Sequence, residues 1–243
     1  MSRVVETPAA LRDGLIATAM SRDEIAERVM ERGELVILKQ AFTDETVTGV
    51  RTAVADWGRQ VAAAELDDFT GNYHRRRVHV ARIQQAPHVF HDYNFNDLAA
   101  VPDELQRTLR GFFEPLRELY NALTANEVRF EIPASGPYVH PQLIHYPSGG
   151  GFFARHWHNL EPQKLGFIVS MAKRGRDFRN GGTCFEIDGD VVDTEAHQEI
   201  GDILVWRYDH PHWVTQSDLK DKFDWTSDAG RWVATFAYFD PKG

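Results

Sequence analysis

Two histidines two positions apart, His156 and His158, end the stretch Tyr146-Pro-Ser-Gly-Gly-Gly-Phe-Phe-Ala-Arg-His-Trp-His158. On an extended segment, side chains at i and i+2 leave the same face, and imidazole is the commonest protein ligand for mid-row transition metals. The glycines before the pair let the backbone turn sharply or come close to a ligand. This spacing points to metal binding, with a third ligand owed by a distant strand. Gly201-Asp-Ile-Leu-Val-Trp-Arg-Tyr-Asp-His-Pro-His-Trp-Val214 offers His210 and His212. Downstream, Arg231 opens the strongly β-forming run Gly230–Asp240, where a guanidinium can take a carboxylate through a two-pronged contact. A metal with open positions beside an anion-binding arginine is what a chelating 2-oxo acid requires.

The elements that must hold these groups fall into two textures. Thr7 to Gly33 carries two helical patterns, the second capped by Ser21 and striped by Ile25, Val29 and Met30. Glu34–Gln40 reads as a buried strand. A helix starting at Thr43 keeps Val47, Val50, Val54 and Trp57 on one face. Residues 66–75 read as a loop and Arg76–Gln85 as a strand. Pro102 opens a long helix striped by Leu105, Leu109, Phe112, Leu116 and Leu119, which Pro115 is expected to kink or split. After Asn126 the chain becomes a series of short β-rich runs at 128–132, 138–146, 152–157, 165–172, 183–187, 203–208 and 232–239. That spacing suits a β-sandwich or barrel with the earlier helices on one face. One domain over residues 1–243 is expected, a helix-rich buttress over 1–126 and a β core over 127–243.

Composition narrows the function classes. The 243 residues can bury a full core, and 42% hydrophobic with 26% charged residues is ordinary for a globular chain. A formal charge of −9 argues against a general nucleic-acid binder. The single cysteine, Cys184, excludes an intramolecular disulfide and every cysteine-cluster zinc site. No apolar run reaches the length of a membrane span and no signal-peptide pattern opens the chain, so a cytoplasmic protein without a membrane partner is expected. The triple glycine lacks the Gly-Lys-Ser/Thr ending of a phosphate-binding loop. Arg75, Arg76 and Arg77 read either as an anion grip or as a salt-bridged strand end. Arg174 and Arg176, in an expected hairpin loop, are possible substrate contacts. The remaining histidines carry no supporting pattern.

At this point the residues resemble the iron(II)- and 2-oxoglutarate-dependent oxygenases, above all the prolyl-hydroxylase branch that includes the hypoxia-factor hydroxylases. That branch has Tyr-Pro, a glycine-rich turn, then aromatic-x-Arg-His-x-Asp-Asn. Here it stands as Tyr146-Pro147, Gly149-Gly150-Gly151 and Phe153-Ala154-Arg155-His156-Trp157-His158-Asn159. Its closing Arg-aromatic-x-x-Thr-x-x-Tyr-Phe-Asp stands as Arg231-Trp-Val-Ala-Thr235-Phe-Ala-Tyr238-Phe239-Asp240. Between them, Gly-Asp followed by His-x-Val matches Gly201-Asp202 and His212-Trp213-Val214. The first part of the chain shares only a loose helix–strand–helix pattern.

The resemblance implies a double-stranded β-helix, a jelly roll of cupin type, using Fe(II), 2-oxoglutarate as co-substrate and O2. Carried over by position, His156 and His212 are metal ligands, Tyr146 holds the co-substrate, Arg231 pairs with its distal carboxylate and Thr235 lines the same pocket. The His-x-Val pattern favours His212 over His210. The departure is His158, where the family has Asp or Glu. Three readings stay open there: a three-histidine site, a site completed by water, chloride or a carboxylate such as Glu161, and a site that has lost oxygen chemistry. Halogenating members carry Gly or Ala at that position, and a histidine fills that space, which points to hydroxylation. The N-terminal buttress differs from that of the prolyl hydroxylases, which points to a small molecule or amino-acid-type substrate. Two rivals remain: a three-histidine dioxygenase working without a 2-oxo acid, and a non-catalytic binding module on the same scaffold.

Overall fold

The computed structural model describes residues 3–68, 70–81, 85–131 and 136–240. In chain order the strands are β1 (Val4–Arg12), β2 (Leu15–Thr18), β3 (Leu35–Lys39), β4 (Asn72–His79), β5 (His88–Phe95), β6 (Tyr138–Pro147) and β7 (Gly151–His156). They continue with β8 (Leu165–Ser170), β9 (Gly182–Ile187), β10 (Asp190–Asp193), β11 (Ile203–Arg207), β12 (His212–Ser217) and β13 (Gly230–Phe239). The helices are α1 (Arg22–Met30), α2 (Asp44–Gln60) and α3 (Asp103–Thr124).

The strands pair along the path β10-β9-β12-β7-β5-β6-β13-β8-β11-β3-β1-β2, with β4 on the other edge of β5. β5 is the junction. Its first residues, His88 and Val89, pair with β7, and His91 to Asn94 pair with β6. The four strands from β10 to β7 are thereby folded against the larger remainder, a jelly roll. Burial on both faces explains the sequence of the central strands. In β3, Val36 and Leu38 face the helices while Leu35 and Ile37 face the interior of the roll, and all four are fully buried. The helices cover the outer face: Ile25, Val29, Val47, Val50, Leu109, Phe112 and Phe113 join the backs of β3, β8, β11 and β13 in one core. Replacing a side chain such as Leu109 by alanine there costs about 2–5 kcal/mol.

The helix starts follow their caps. Ser21 accepts from the Glu24 amide and Thr43 from the Thr46 amide, each at 3.2 Å. Among the described residues no helix is long and apolar enough to cross a membrane.

Several expectations need correction. The first helical pattern after Thr7 is instead the hairpin β1–β2, because β1 extends the sheet in parallel with β3. Residues 72–75, expected in a loop, begin β4, and β4 ends at His79, with 82–84 outside the described residues. β5 was hidden by its composition, since Asp92, Asn94, His88 and His91 are buried polar residues. They are tolerated because they are paired. Arg77 Nε donates to Asp92 at 2.8 Å, Tyr93 donates to His91 Nδ1 at 3.2 Å, and His91 Nε2 donates to His74 Nδ1 at 2.7 Å. His74 Nε2 completes the chain on the Val61 carbonyl at 2.8 Å, which fixes each tautomer in it. α3 continues across Pro115 without interruption. Val128–Glu131 forms no strand, since Asn121 takes the main-chain groups of Val128 at 3.0 and 3.1 Å; Ile132 lies outside the described residues.

Candidate metal centre

The register of two strand pairs builds the site. Antiparallel pairing of β7 with β12 sets His156 opposite His212. Pairing of β6 with β13 sets Tyr146 opposite Arg231 and Gln142 opposite Thr235. Opposed residues share a face, so ligand and anion groups enter one cavity inside the roll. Gly149 permits the reversal between β6 and β7: its φ is +92°, and a Cβ there would lie 2.6 Å from the Phe223 backbone.

His156, His158 and His212 each present a ring nitrogen within 4.8 Å of the others. His156 Nδ1 donates to the Ala154 carbonyl at 2.8 Å and His212 Nδ1 to the His210 carbonyl at 2.9 Å. Both rings therefore turn an unprotonated Nε2 toward the cluster. His158 lies beyond the end of β7 and stacks on Tyr208, 4.4 Å between centroids and 10° between planes. Burial lowers all three, His158 to about 4 and His212 to about 3, with neighbouring imidazoles adding to the effect. They are neutral donors at neutral pH, which fits a bound transition-metal cation. Glu161 is exposed on a turn and does not join the cluster. His210 is directed elsewhere, its Nε2 donating to the Gly33 carbonyl at 3.0 Å.

Arg231 is the second feature of the cavity. It is 1% exposed. Its Nε donates to Glu195 at 2.5 Å and its Nη2 to Thr183 Oγ1 at 2.6 Å, while the buried Nη1 has no partner. The sequence suggests an arginine open to a two-pronged carboxylate contact; the fold instead engages Nε and Nη2 with Glu195 and Thr183. Tyr146 lies with its ring 5.7 Å from the guanidinium carbon. Burial pushes the Tyr146 hydroxyl up to about 12, opposed by the Arg231 charge, so it remains a donor. Thr235 lines the same cavity, its hydroxyl donating to the Phe167 carbonyl at 2.7 Å. The cavity is small, about 180 Å3, and its apolar wall includes Phe153, Ile168, Val214 and Trp206. The indole nitrogen of Trp206 is buried without a partner. A wider hollow of about 780 Å3 between α2 and α3 contains neither histidine nor cysteine.

Of the other basic candidates, Arg76 is exposed on β4 and the remaining four are engaged by carboxylates. Arg75 and Arg77 share Asp67, Arg174 binds Asp193 at 2.7 Å and Arg176 binds Asp44 at 2.9 Å. Glu195, Thr183, Trp206 and Tyr208 were not singled out from the sequence. The one available signal was Asp188-Gly189, a hairpin turn that returns the chain along β9 to Glu195.

With this geometry in place, the likeness to solved structures is informative. A Pseudomonas putida prolyl-4-hydroxylase superposes with a TM-score of 0.54 at 13% identity, over 90% of this chain and 99% of that one. A Trichoplax adhaerens prolyl hydroxylase, solved with a hypoxia inducible factor peptide fragment, gives 0.54 at 14% identity over 91% of each chain. EctD from S. alaskensis, solved with 2-oxoglutarate and 5-hydroxyectoine, gives 0.52 at 14%, covering 92% of this chain and 77% of that one. The chain has the fold of the 2-oxoglutarate–Fe(II) oxygenases. No protein-family model and no curated protein matches the sequence. In this oxygenase fold the three histidines stand inside the roll with the buried arginine on the same cavity wall.

Proposed function

We propose that this protein is a non-haem iron(II)- and 2-oxoglutarate-dependent oxygenase that hydroxylates, or otherwise oxidises, a small molecule or amino-acid-type substrate. The observation that carries the reading is the meeting, in one buried cavity, of three neutral imidazoles and a guanidinium with an unpartnered Nη1. Imidazole donors alone suit several metals. The adjacent anion-binding group is what favours a chelating 2-oxo acid, and the fold agrees.

In this reading His156, His158 and His212 would hold the metal within the cavity. Bound iron(II) supplies dioxygen activation and the oxidative decarboxylation of 2-oxoglutarate. The chain's own groups position and exclude. Arg231 Nη1 takes the distal carboxylate of the co-substrate, and the Tyr146 hydroxyl donates beside it. The carbonyls of Ala154 and His210 keep the two strand-borne imidazoles in one tautomer. Phe153, Ile168, Val214 and Trp206 keep bulk water from the reacting groups. The volume of the cavity favours a compact substrate.

The ion pair between Arg231 and Glu195 favours a second reading, a three-histidine dioxygenase needing no 2-oxo acid. One experiment separates them. Adding 2-oxoglutarate anaerobically to the iron(II) protein should produce a metal-to-ligand charge-transfer band, followed in air by succinate formation. Without the band, the first reading is wrong.

A further inference from the structure

Glu195 is an expensive residue to bury. Its side chain is 3% exposed and its partner Arg231 2%. A buried ion pair is a poor device for stability, because desolvating two charges offsets most of their attraction. Yet the chain builds a seat for this carboxylate. Gly182 has φ +136°, and a Cβ on it would lie 2.1 Å from Glu195 Cγ, so only glycine leaves the space. The Thr183 amide donates to Glu195 Oε1 at 3.2 Å, and the Thr183 hydroxyl accepts from Arg231 Nη2. Asp193 holds the Glu195 amide at 3.0 Å. Three elements therefore fix one acid against the one arginine of the cavity.

We propose that Glu195 is the counter-charge of the co-substrate site, carrying at its far end the negative charge that His158 does not supply at the metal. The inference rests on the oxygenase reading above. Three neutral imidazoles leave iron(II) with both its positive charges, and a dicarboxylic 2-oxo acid cancels them. Arg231, buried in the cavity wall, then adds one positive charge, and Glu195 removes it. The closed assembly is neutral. Without the metal, the balance is different: Arg231 and Glu195 already neutralise each other, so a dianion entering alone brings uncompensated charge into the interior. The same pair thus makes metal binding a precondition for co-substrate binding. Glu195 also acts as a positioning residue, since it holds Nε while Thr183 holds Nη2, which leaves Nη1 for the ligand.

The test uses Glu195→Gln, His158→Asp and the double variant of the full chain. Glutamine keeps the acceptor for Arg231 Nε and for the Thr183 amide while removing the charge. In metal-free protein, 2-oxoglutarate should bind Glu195→Gln about tenfold or more tighter than wild type, read by calorimetry or thermal shift. With iron(II) under anaerobic conditions, His158→Asp should weaken 2-oxoglutarate binding about tenfold, read by the charge-transfer band, and adding Glu195→Gln should restore it. Unchanged or weaker metal-free binding in Glu195→Gln, or a double variant that binds 2-oxoglutarate no tighter than His158→Asp alone, would overturn the proposal. If Glu195→Gln does not fold, His158→Asp alone decides: co-substrate affinity equal to or above wild type rejects the charge balance. Absence of the band from wild type would instead reject the oxygenase reading itself, so the two failures are distinguishable.

Discussion

His156 and His212 face each other across β7 and β12 with ring centroids 4.3 Å apart, each Nδ1 donating to the carbonyl two residues earlier in the chain. The arrangement is the same on both strands, so neither ring can flip or change tautomer without losing its main-chain hydrogen bond. His158 has no such tether; what confines it is the face of Tyr208. Two ligands are thus preorganised by main chain and the third by side-chain stacking, and this difference should be measurable.

His156→Ala and His212→Ala should each weaken iron(II) binding by roughly 100-fold or more, since each removes a preset donor from the cluster. His158→Ala should weaken it less, by about tenfold, and His158→Asp should retain iron because a carboxylate also ligates. Anaerobic iron titrations with a competing chelator give all four values. Wild-type affinity in His158→Ala would remove His158 from the ligand set.

The role of Tyr208 can be isolated. Tyr208→Phe keeps the aromatic face and should leave iron affinity within about twofold of wild type. Tyr208→Leu frees the His158 ring and should cost roughly tenfold, as loss of a supporting group around a metal does. Equal affinities in the two variants would show that stacking does not hold the third ligand.

What the sequence displayed was what local chemistry forces. The His156–His158 spacing, the Ser21 and Thr43 caps and the fully apolar β3 were legible, because each depends on residues near in sequence. β5 was not legible, since a strand containing buried His, Asp and Asn resembles a loop until its partners Arg77 and His74 are known. β1 and β2 looked helical because β1 is placed by pairing with β3 and β2 by pairing with β1, relations that periodicity does not report. At the site the same division holds. Arg231 stands in a recognisable motif, whereas Glu195 meets it only through the β9–β10 turn, 36 residues earlier in the chain.

Acid should unfold this protein through its buried histidines. Burial lowers His91 to about 3 and His145 to about 4, from an ordinary 6.5. His91 also lies between Tyr93 and His74 with both ring nitrogens engaged, and His145 Nε2 donates to the Ala229 carbonyl at 3.0 Å. Because the folded values lie below the unfolded one, the unfolded chain takes up protons first as pH falls beneath about 6.5. The contribution is therefore complete above that pH and is lost progressively below it, at about 1.4 kcal/mol per pH unit for each group. Between pH 7.5 and 5.5 the two together should lower stability by about 3 kcal/mol, visible as a fall in the urea midpoint. His145→Gln should remove one group's share of the acid sensitivity, about 1.4 kcal/mol over this range, since burial lowers His140, His158 and His212 as well; an unchanged slope would assign the acid sensitivity to other groups.

Arg231 joins stability to co-substrate binding, and the two can be separated. Arg231→Met leaves Glu195 buried without its cation, which should destabilise the fold by about 3–5 kcal/mol. The same variant should bind 2-oxoglutarate at least 100-fold more weakly, since the group facing the distal carboxylate is gone. Adding Glu195→Gln removes the stranded charge, so most of the lost stability should return while 2-oxoglutarate binding should not. Urea denaturation and anaerobic co-substrate titration of the single and double variants give both readouts. If the double variant were as unstable as Arg231→Met, the destabilisation would stem from lost packing around Arg231 rather than from an unpaired Glu195.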